Sequence, residues 1–564
     1  MTEALDLPGL IASRRPGYSL PAAFYLSAEI YQRDLRLIFG RHWIFVGVEP
    51  EIPEAGDLFT VDIGSDSIIV VRDDELAVRA FHNVCRHRGA RLRPEGRGMV
   101  GNLVCPYHQW TYNLRGELVH NQHMGEGFDR CRFGLKPVHI ESLAGLLFIC
   151  LAETPAQGFD EMRAAIEHYI APHNIANTKV AFQKDIIEHG NWKLTMENNR
   201  ECYHCSANHP ELTVSLLEYG FGYQPSMENV EQVKGFEDLL ARQHQRWEAC
   251  GLPSVEVDRL EHITGFRTVR LPMVHAGESQ TLDTKVASRK PLAEFGQLDL
   301  GGLSFWTQPN SWHHFMSDHI VSFSVLPISP HQALLRTRWL VHKDAVEGVD
   351  YDLKRLTEVW DATNDQDSAL VANAHKGIVS SAYQPGPYSP YTEGLVDKFC
   401  NWYLDRLGAG LEQAGSAPAP PSARTPRLGS AALASLASPA ATAAPAAAPT
   451  AAPTAALAMA PISGPAAPTA PATTTDVRQF SITFSQSGHV VPCRADQTIL
   501  SAAESAGLPL PFSCREGRCG TCRSRLVAGQ VDMKHAGGIR QRQIDQGDIL
   551  VCCSRPLSDV VIEK

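Results

Sequence analysis

The sequence predicts a multidomain α+β chain: a small all-β domain ahead of a larger sheet-and-helix domain, and a second small β domain joined to them by a disordered linker. Three observations predict it. Cys85 and His87 are answered by Cys105 and His108 among short strand-like runs. Cys514, Cys519 and Cys522 fall in C-x4-C-x2-C spacing with Cys552 downstream, and from about residue 416 to 475 the chain turns to Ala, Pro, Thr and Ser. At 564 residues the chain has length for roughly three or four domains, with ample core.

The elements follow in order. In residues 1–44, read as an N-terminal helical segment, Ser27 is placed to cap a helix whose Tyr31, Leu35, Ile38 and Phe39 share a face and which Gly40 ends. In residues 45–155, the runs 58–63, 67–72 and 77–82 are separated by turn-rich residues, as in a small all-β domain that carries ligands on its loops. Residues 156–414 form the larger domain and residues 415–475 the linker. No charged residue lies between Arg427 and Asp476, but repeated prolines prevent a continuous membrane helix, so a disordered tether is expected. Its r.m.s. span is roughly 40 Å or more, which would replace diffusional encounter with a high effective concentration. In residues 476–564 a hairpin (480–484 and 489–491), a helix near 498–506 ended by Gly507, a cysteine-rich loop and a closing strand (560–563) suit a β-grasp domain.

The 62 acidic residues against 51 basic give a net charge of −11, which argues against general nucleic-acid binding. The start Met1, Thr2, Glu3 lacks the basic and apolar regions of a secretory signal, so a cytoplasmic location is expected, with no membrane association. Six of the 14 cysteines are assigned to metal clusters; the other eight show no disulfide framework and are expected to be free thiols.

Three sites carry chemistry. Cys85-Arg-His87 and Cys105-Pro-Tyr-His108 are 17 residues apart, each half giving one Cys and one His. That is the ligand set of a Rieske [2Fe–2S] centre and departs from the spacing of a zinc finger. Cys514, Cys519 and Cys522 have plant-type ferredoxin spacing, with a distant fourth thiolate at Cys552 or its neighbour Cys553; Cys552 follows Leu550-Val551 as the ligand does in the plant-type ferredoxins this segment resembles. Two relays in series need an acceptor. His204-x4-His209 would supply it if a distant carboxylate completes a 2-His-1-carboxylate iron site open to O2, although Cys202-Tyr-His-Cys205 also imitates a redox C-x2-C pair. Gly96-Arg-Gly98-Met-Val-Gly101 is a formal G-x-G-x-x-G, but it lies between the two halves of the Rieske ligand set and outside any βαβ unit, and is discounted.

The stretch from Asn191-Trp192-Lys193 through Glu197-Asn198-Asn199-Arg200-Glu201-Cys202-Tyr203-His204-Cys205 to His209-Pro210 resembles the Rieske non-haem iron oxygenases. It is most similar to the branch acting on quaternary ammonium compounds, the glycine betaine, stachydrine, carnitine and choline monooxygenases. The resemblance covers roughly residues 20–410, including Trp339-Leu-Val-His342, Glu347-Gly-Val-Asp-Tyr351 and Trp360-Asp-Ala-Thr-Asn-Asp-Gln-Asp367. It implies an antiparallel-sheet and helix catalytic domain with mononuclear iron held by His204, His209 and Asp367, Asp361 and Asp365 being alternative carboxylates. It also implies that Glu201 bridges electron transfer to His108 of a neighbouring protomer, where much of the family uses Asp, and hence a closed ring, a trimer. The ferredoxin domain follows the oxygenase here, whereas in the resembling two-component systems it sits on the reductase. With no flavin or nicotinamide module expected on this chain, an external NAD(P)H-dependent flavin reductase is implied.

Plant-type clusters lie near about −400 mV and Rieske centres between roughly −150 and +300 mV, so electrons run from the ferredoxin domain to the oxygenase. The expected reaction is O2-dependent N-demethylation, with glycine betaine giving dimethylglycine and formaldehyde. A trimethylammonium group calls for an aromatic cage, for which Phe182, Tyr203, Phe305, Trp306 and Trp312 are candidates, each also readable as ordinary core. A cationic partner for the substrate carboxylate is expected but not assigned. The alternatives are stachydrine, carnitine or choline oxidation, aromatic hydroxylation or O-demethylation, and, in another class, an electron carrier or redox sensor without mononuclear iron.

Overall fold

The computed structural model describes residues 5–218, 230–416 and 478–564. The linker expected at 415–475 lies, from residue 417 on, outside the described residues.

Ser27 caps the helix Ala28–Arg33, its Oγ accepting from Ile30 N. The helix then widens into a π-helical turn, Asp34–Phe39, before Gly40. The wider turn rotates the expected face, so that Asp34 and Leu37 are buried while Leu35 is half-buried. Asp34, fully enclosed, accepts from Trp192 Nε1 (3.0 Å) and Tyr403 OH (2.7 Å) and pairs with Lys193. Three segments distant in sequence are thereby tied at one carboxylate.

The first β domain is a seven-stranded antiparallel sheet in the order Ile44–Val48, Leu146–Cys150, Pro137–Leu143, Val78–His82, Asp66–Arg72, Asp57–Ile63, Arg97–Met99. The strands expected at 58–63, 67–72 and 77–82 all occur within a residue. A small sheet of Leu103–Val104, Thr111–Tyr112 and Leu118–His120 bears the second Cys/His loop.

The larger domain is built on a second seven-stranded antiparallel sheet, ordered Thr178–Glu188, Gln332–His342, His319–Ser329, Ser311–Phe315, Gly302–Thr307, Phe266–Leu271, Val257–Arg259. The helices Trp192–Asn199, Leu353–Ile378 and Gly394–Ser416 pack beside it. Glu51 of the first domain reaches Arg338 of this sheet at 3.0 Å, both almost fully buried. Asn310 exchanges two 3.0 Å hydrogen bonds with the backbone of Phe45, so the domains share a polar seam as well as an apolar core.

The last domain has the sheet order His489–Arg494, Gln479–Phe484, Val560–Glu563, Arg523–Ala528, Asp548–Leu550. Its helix Ile499–Ser505 is capped by Thr498 and followed by Gly507 at φ +72°, a conformation that glycine adopts without a Cβ penalty. The terminal strand pairs parallel to Gln479–Phe484 and antiparallel to Arg523–Ala528, as a β-grasp requires. Among the described residues no helix is long and apolar enough to cross a membrane.

Candidate active site

Cys85 and Cys105 are buried side by side, while their histidines stand at the outer edge of the domain. The rings of His87 and His108 have centroids 4.6 Å apart, and His87 stacks on Trp110 at 4.8 Å. Backbone bonds from Gly89 N to Cys85 O and from Gln109 N to Cys105 O close the two loops alike. His87 Nδ1 is buried without a hydrogen-bond partner. Two thiols and an orphaned ring nitrogen suit a cluster bound by two Cys and two His.

Cys514, Cys519, Cys522 and Cys552 are all buried, and their thiols adjoin, Cys552 meeting both Cys514 and Cys522. Cys514 Sγ accepts backbone N–H groups from Glu516, Arg518 and Cys519 at 3.2–3.4 Å, donors that suit a thiolate. Cys553 Sγ instead donates to Leu550 O at 3.5 Å.

His204 and His209 stand at the two ends of the short helix Cys205–Asn208, and Asp367 projects from the helix Leu353–Ile378. Asp367 Oδ1 lies 3.2 Å from His204 Nε2 and 3.1 Å from His209 Nε2. The His209 nitrogen is buried and lacks hydrogen-bond alignment, so its lone pair is free for a metal. Behind this trio, Asn198 donates to Asp367 (3.0 Å) and Gln366 bonds His209 Nδ1 (2.8 Å), fixing each ligand's orientation. Burial alone would depress His204, but the carboxylates of Asp367 and Glu201 outweigh it and hold the imidazole up at about 9. A field that retains a proton this strongly equally suits a metal cation.

Helical periodicity separates the three candidate carboxylates. Asp361 and Asp365 are four residues apart on one face and both pair with Lys184. Asp367 lies on another face, with Trp360 and Asn364 at i−7 and i−3. Glu201 reaches His204 Nδ1 at 2.5 Å and also accepts from Tyr203 N.

Cys202 and Cys205 are joined as a disulfide, which corrects the expectation that all eight remaining cysteines are free thiols. Their C-x2-C spacing at a helix start brings the Cα atoms to 5.0 Å, within disulfide reach. Cys205 adjoins both histidines, but as a disulfide it offers no thiolate.

A cavity of about 70 Å³ opens onto the His204, His209 and Asp367 atoms. Of the five proposed cage residues, Trp306 and Trp312 line it; Phe182, Tyr203 and Phe305 do not. Strand alternation is the reason for Phe305, which is paired with His313 on the opposite face of the sheet from the directly paired Trp306 and Trp312. Tyr203 is 66% exposed, and Phe182 sits at the sheet edge against Trp339. Trp360, stacked on His314 at 4.9 Å, completes the aromatic wall. Its seven-residue spacing from Asp367 was the available sequence signal. Burial keeps His314 neutral by pushing it down to about 3, so it adds no positive charge.

Arg200 also lines the cavity and is buried, donating to Asn199 (2.9 Å), Thr307 O (3.1 Å) and Gln308 (3.2 Å). No carboxylate among the described residues pairs with it, and its Nε is unpartnered, as are Trp306 Nε1 and Trp312 Nε1. Burial, with Arg267 nearby, pulls it down to about 9. A buried cation without a counter-ion is costly, which suits an anionic ligand.

Comparisons with known proteins agree with this arrangement. Residues 42–139 match the Rieske [2Fe-2S] domain, residues 175–409 the ring hydroxylating alpha subunit (catalytic domain), and residues 482–557 the 2Fe-2S iron-sulfur cluster binding domain. The glycine betaine monooxygenase oxygenase subunit of Chromohalobacter salexigens is 44% identical over 422 residues, 73% of this chain and 93% of that protein. Its counterpart in Pseudomonas aeruginosa is 44% identical over 401 residues, 71% of this chain and 91% of its own. A solved quaternary ammonium Rieske monooxygenase in complex with L-carnitine shares the fold, with a TM-score of 0.52 at 21% identity over 72% of this chain and 99% of its own. The chain therefore belongs to the Rieske non-haem iron oxygenases, among the relatives of the glycine betaine monooxygenase oxygenase subunits, and carries Rieske, mononuclear iron and plant-type [2Fe–2S] sites in one polypeptide.

Proposed function

We propose that this chain N-demethylates glycine betaine. The observation that carries the reading is the cavity beside the His204, His209 and Asp367 atoms, lined by three tryptophans and by a buried Arg200 that has no carboxylate partner among the described residues. The indoles offer faces to a trimethylammonium group, and Arg200 with the indole N–H groups offers donors to its carboxylate.

His204, His209 and Asp367 would hold an iron ion, which would supply O2 activation there. The balance is glycine betaine, O2, NAD(P)H and a proton giving dimethylglycine, formaldehyde, water and NAD(P)+. One oxygen atom enters an N-methyl C–H bond, the hemiaminal then releases formaldehyde, and the other oxygen leaves as water. Cys514, Cys519, Cys522 and Cys552 would hold one [2Fe–2S] cluster and Cys85, His87, Cys105 and His108 the other, and these would supply one-electron transfer from an external flavin reductase. Glu201, bonded to the ligand His204, joins His108 of a neighbouring protomer in a trimer. A cytoplasmic location belongs to the same reading, and supply by a soluble reductase suits it.

The test is formaldehyde release with NADH and a flavin reductase across glycine betaine, stachydrine, carnitine and choline. Glycine betaine is expected to respond, and His204→Ala to abolish the response. Arg200→Met is expected to raise KM for glycine betaine by about 10- to 100-fold, the worth of a hydrogen bond to a charged group, with little effect on choline, which lacks the carboxylate. If no betaine responds while both clusters are reduced, the substrate assignment fails and aromatic substrates come next.

A further inference from the structure

The ferredoxin domain rests on the Rieske domain of its own chain, and its contacts come from the residues that precede its cluster cysteines. Ser513 O, next to Cys514, accepts from Gln122 Nε2 at 3.1 Å. Arg518 O, next to Cys519, accepts from Asn102 Nδ2 at 2.6 Å, and Thr521 Oγ1, next to Cys522, donates to Gln109 Oε1 at 2.7 Å. On the Rieske side, Asn102 and Gln109 flank the loop that carries Cys105 and His108, and Gln122 lines a cavity with His108 and Gln109. The two ligand loops thus meet through hydrogen bonds one residue from ligand cysteines and, at Gln109, one from His108.

A charged latch borders this contact. Arg540 donates to Val100 O (3.0 Å) and Gly101 O (2.9 Å) and pairs with Asp74. Arg542 pairs with Asp57 (2.6 Å) and Glu54 (2.5 Å). The wider charge agrees: residues 478–564 hold 11 basic and 8 acidic residues, net +3, whereas residues 45–155 hold 11 basic and 15 acidic, net −4. Gly101 marks how close the approach is. A Cβ there would lie 2.3 Å from Gly537 O, 2.7 Å from Gly538 C and 2.9 Å from Ile539 N, all three atoms belonging to the ferredoxin domain. The third glycine of the discounted G-x-G-x-x-G run therefore serves a protein contact.

The docked domain comes up to the histidine edge, where Phe512 and Ser513 line a cavity with His87 and His108, but does not cover it. His108 is exposed, Tyr107 is 56% exposed and Val84 is 42% exposed with the ferredoxin domain in place.

We propose that the ferredoxin domain is a docked donor to the Rieske site of its own chain, latched by Arg540 and Arg542 and seated on Gly101. Electrons enter through the Cys105 loop while His108 stays exposed beside the docked domain, so the donor need not leave between the two electrons of a turnover. Each transfer oxidises the four-cysteine site by one electron and reduces the Cys/His site by one, with NAD(P)H and an external flavin reductase as the source. The inference rests on the reading of this chain as a reductase-fed oxygenase, but not on its substrate.

The test follows Rieske reduction by stopped-flow spectroscopy after the reductase is added to the full-length holoprotein without substrate. In the wild type the rate is expected to be independent of chain concentration and to fall with added salt. Gly101→Ala and the double variant Arg540→Glu/Arg542→Glu are each expected to slow it at least tenfold, with both clusters intact by EPR. Asp74→Arg is expected to recover part of the loss in Arg540→Glu. Small-angle scattering should show expansion of the same variants, a readout independent of electron flow.

Unchanged rates and unchanged scattering in both variants would overturn the docking. Mixed oligomers, one chain bearing Cys105→Ser and the other Cys514→Ser, should show no rapid reduction; rapid reduction there would place the donor on a neighbouring chain and overturn the own-chain assignment. Fast transfer with no response to any betaine would instead count against the substrate reading alone.

Discussion

Glu197 is half-buried, with Tyr25 OH bonding its two carboxylate oxygens at 2.9 and 3.0 Å. Burial pushes it up to about 7 from an ordinary 4.5, against the opposing pull of Tyr25 and Lys193. Below pH 4.5 both folded and unfolded chains hold the proton; between 4.5 and about 7 only the folded form holds it, so this group's stabilising share is lost as pH rises through that window. Glu197→Gln should therefore gain on the wild type as pH rises, by up to about 3 kcal/mol above pH 7. Urea unfolding of the metal-free protein at about pH 5 and about pH 8 checks it; an unchanged gap would mean the carboxyl is ionised in both states. Single residues also show where sequence reading runs short. Phe305 and Trp306 are neighbours of equal apolar promise, and only the cross-strand register decides which one faces the cavity.

At the scale of elements, the helix Leu353–Ile378 holds both the clearest sequence signal and the missed one. Its periodicity puts Trp360, Asn364 and Asp367 on the cavity face and Asp361 and Asp365 toward Lys184. The Asn191-Trp192-Lys193 stretch, by contrast, is structural. Lys193 and Asp34 form a fully buried pair joining the N-terminal π-turn to the helix Trp192–Asn199, with Tyr403 of Gly394–Ser416 as third party. Lys193→Met leaves Asp34 with an uncompensated buried charge and is expected to cost about 3–5 kcal/mol. The corresponding fall in unfolding midpoint should shrink in the double variant Asp34→Asn/Lys193→Met. A single-variant loss below about 1 kcal/mol would show that Asp34 is protonated or hydrated in the folded state.

Across the whole molecule, the Glu51–Arg338 pair carries the seam between the Rieske and catalytic domains. Burial alone would raise Glu51, but the Arg338 and Arg97 guanidinium groups outweigh it and hold the carboxyl below its ordinary 4.5. The stability from this pair is present above 4.5 and lost as pH falls through the lowered value. Thermal unfolding should therefore weaken on acidification less steeply in Glu51→Gln than in the wild type. At neutral pH Glu51→Gln should lower the stability of the joined domains by about 3–5 kcal/mol, because Arg338 is left buried without its anion. Equal acid slopes in the two proteins would remove this pair from the seam.

By itself the sequence determined what local spacing encodes: the two cluster motifs, the His204/His209 pair, the strands at 58–63, 67–72 and 77–82, the β-grasp order, and the boundary where charge disappears. Most of these depend on residues a few positions apart, where covalent geometry limits what can meet. Tertiary structure alone decided the rest: the turning of Trp306 and Trp312 toward the cavity, the burial of Arg200 without a carboxylate partner among the described residues, and the seating of Gly101 against Gly537. These features depend on how segments distant in sequence pack together, and spacing along the chain does not specify which segments meet.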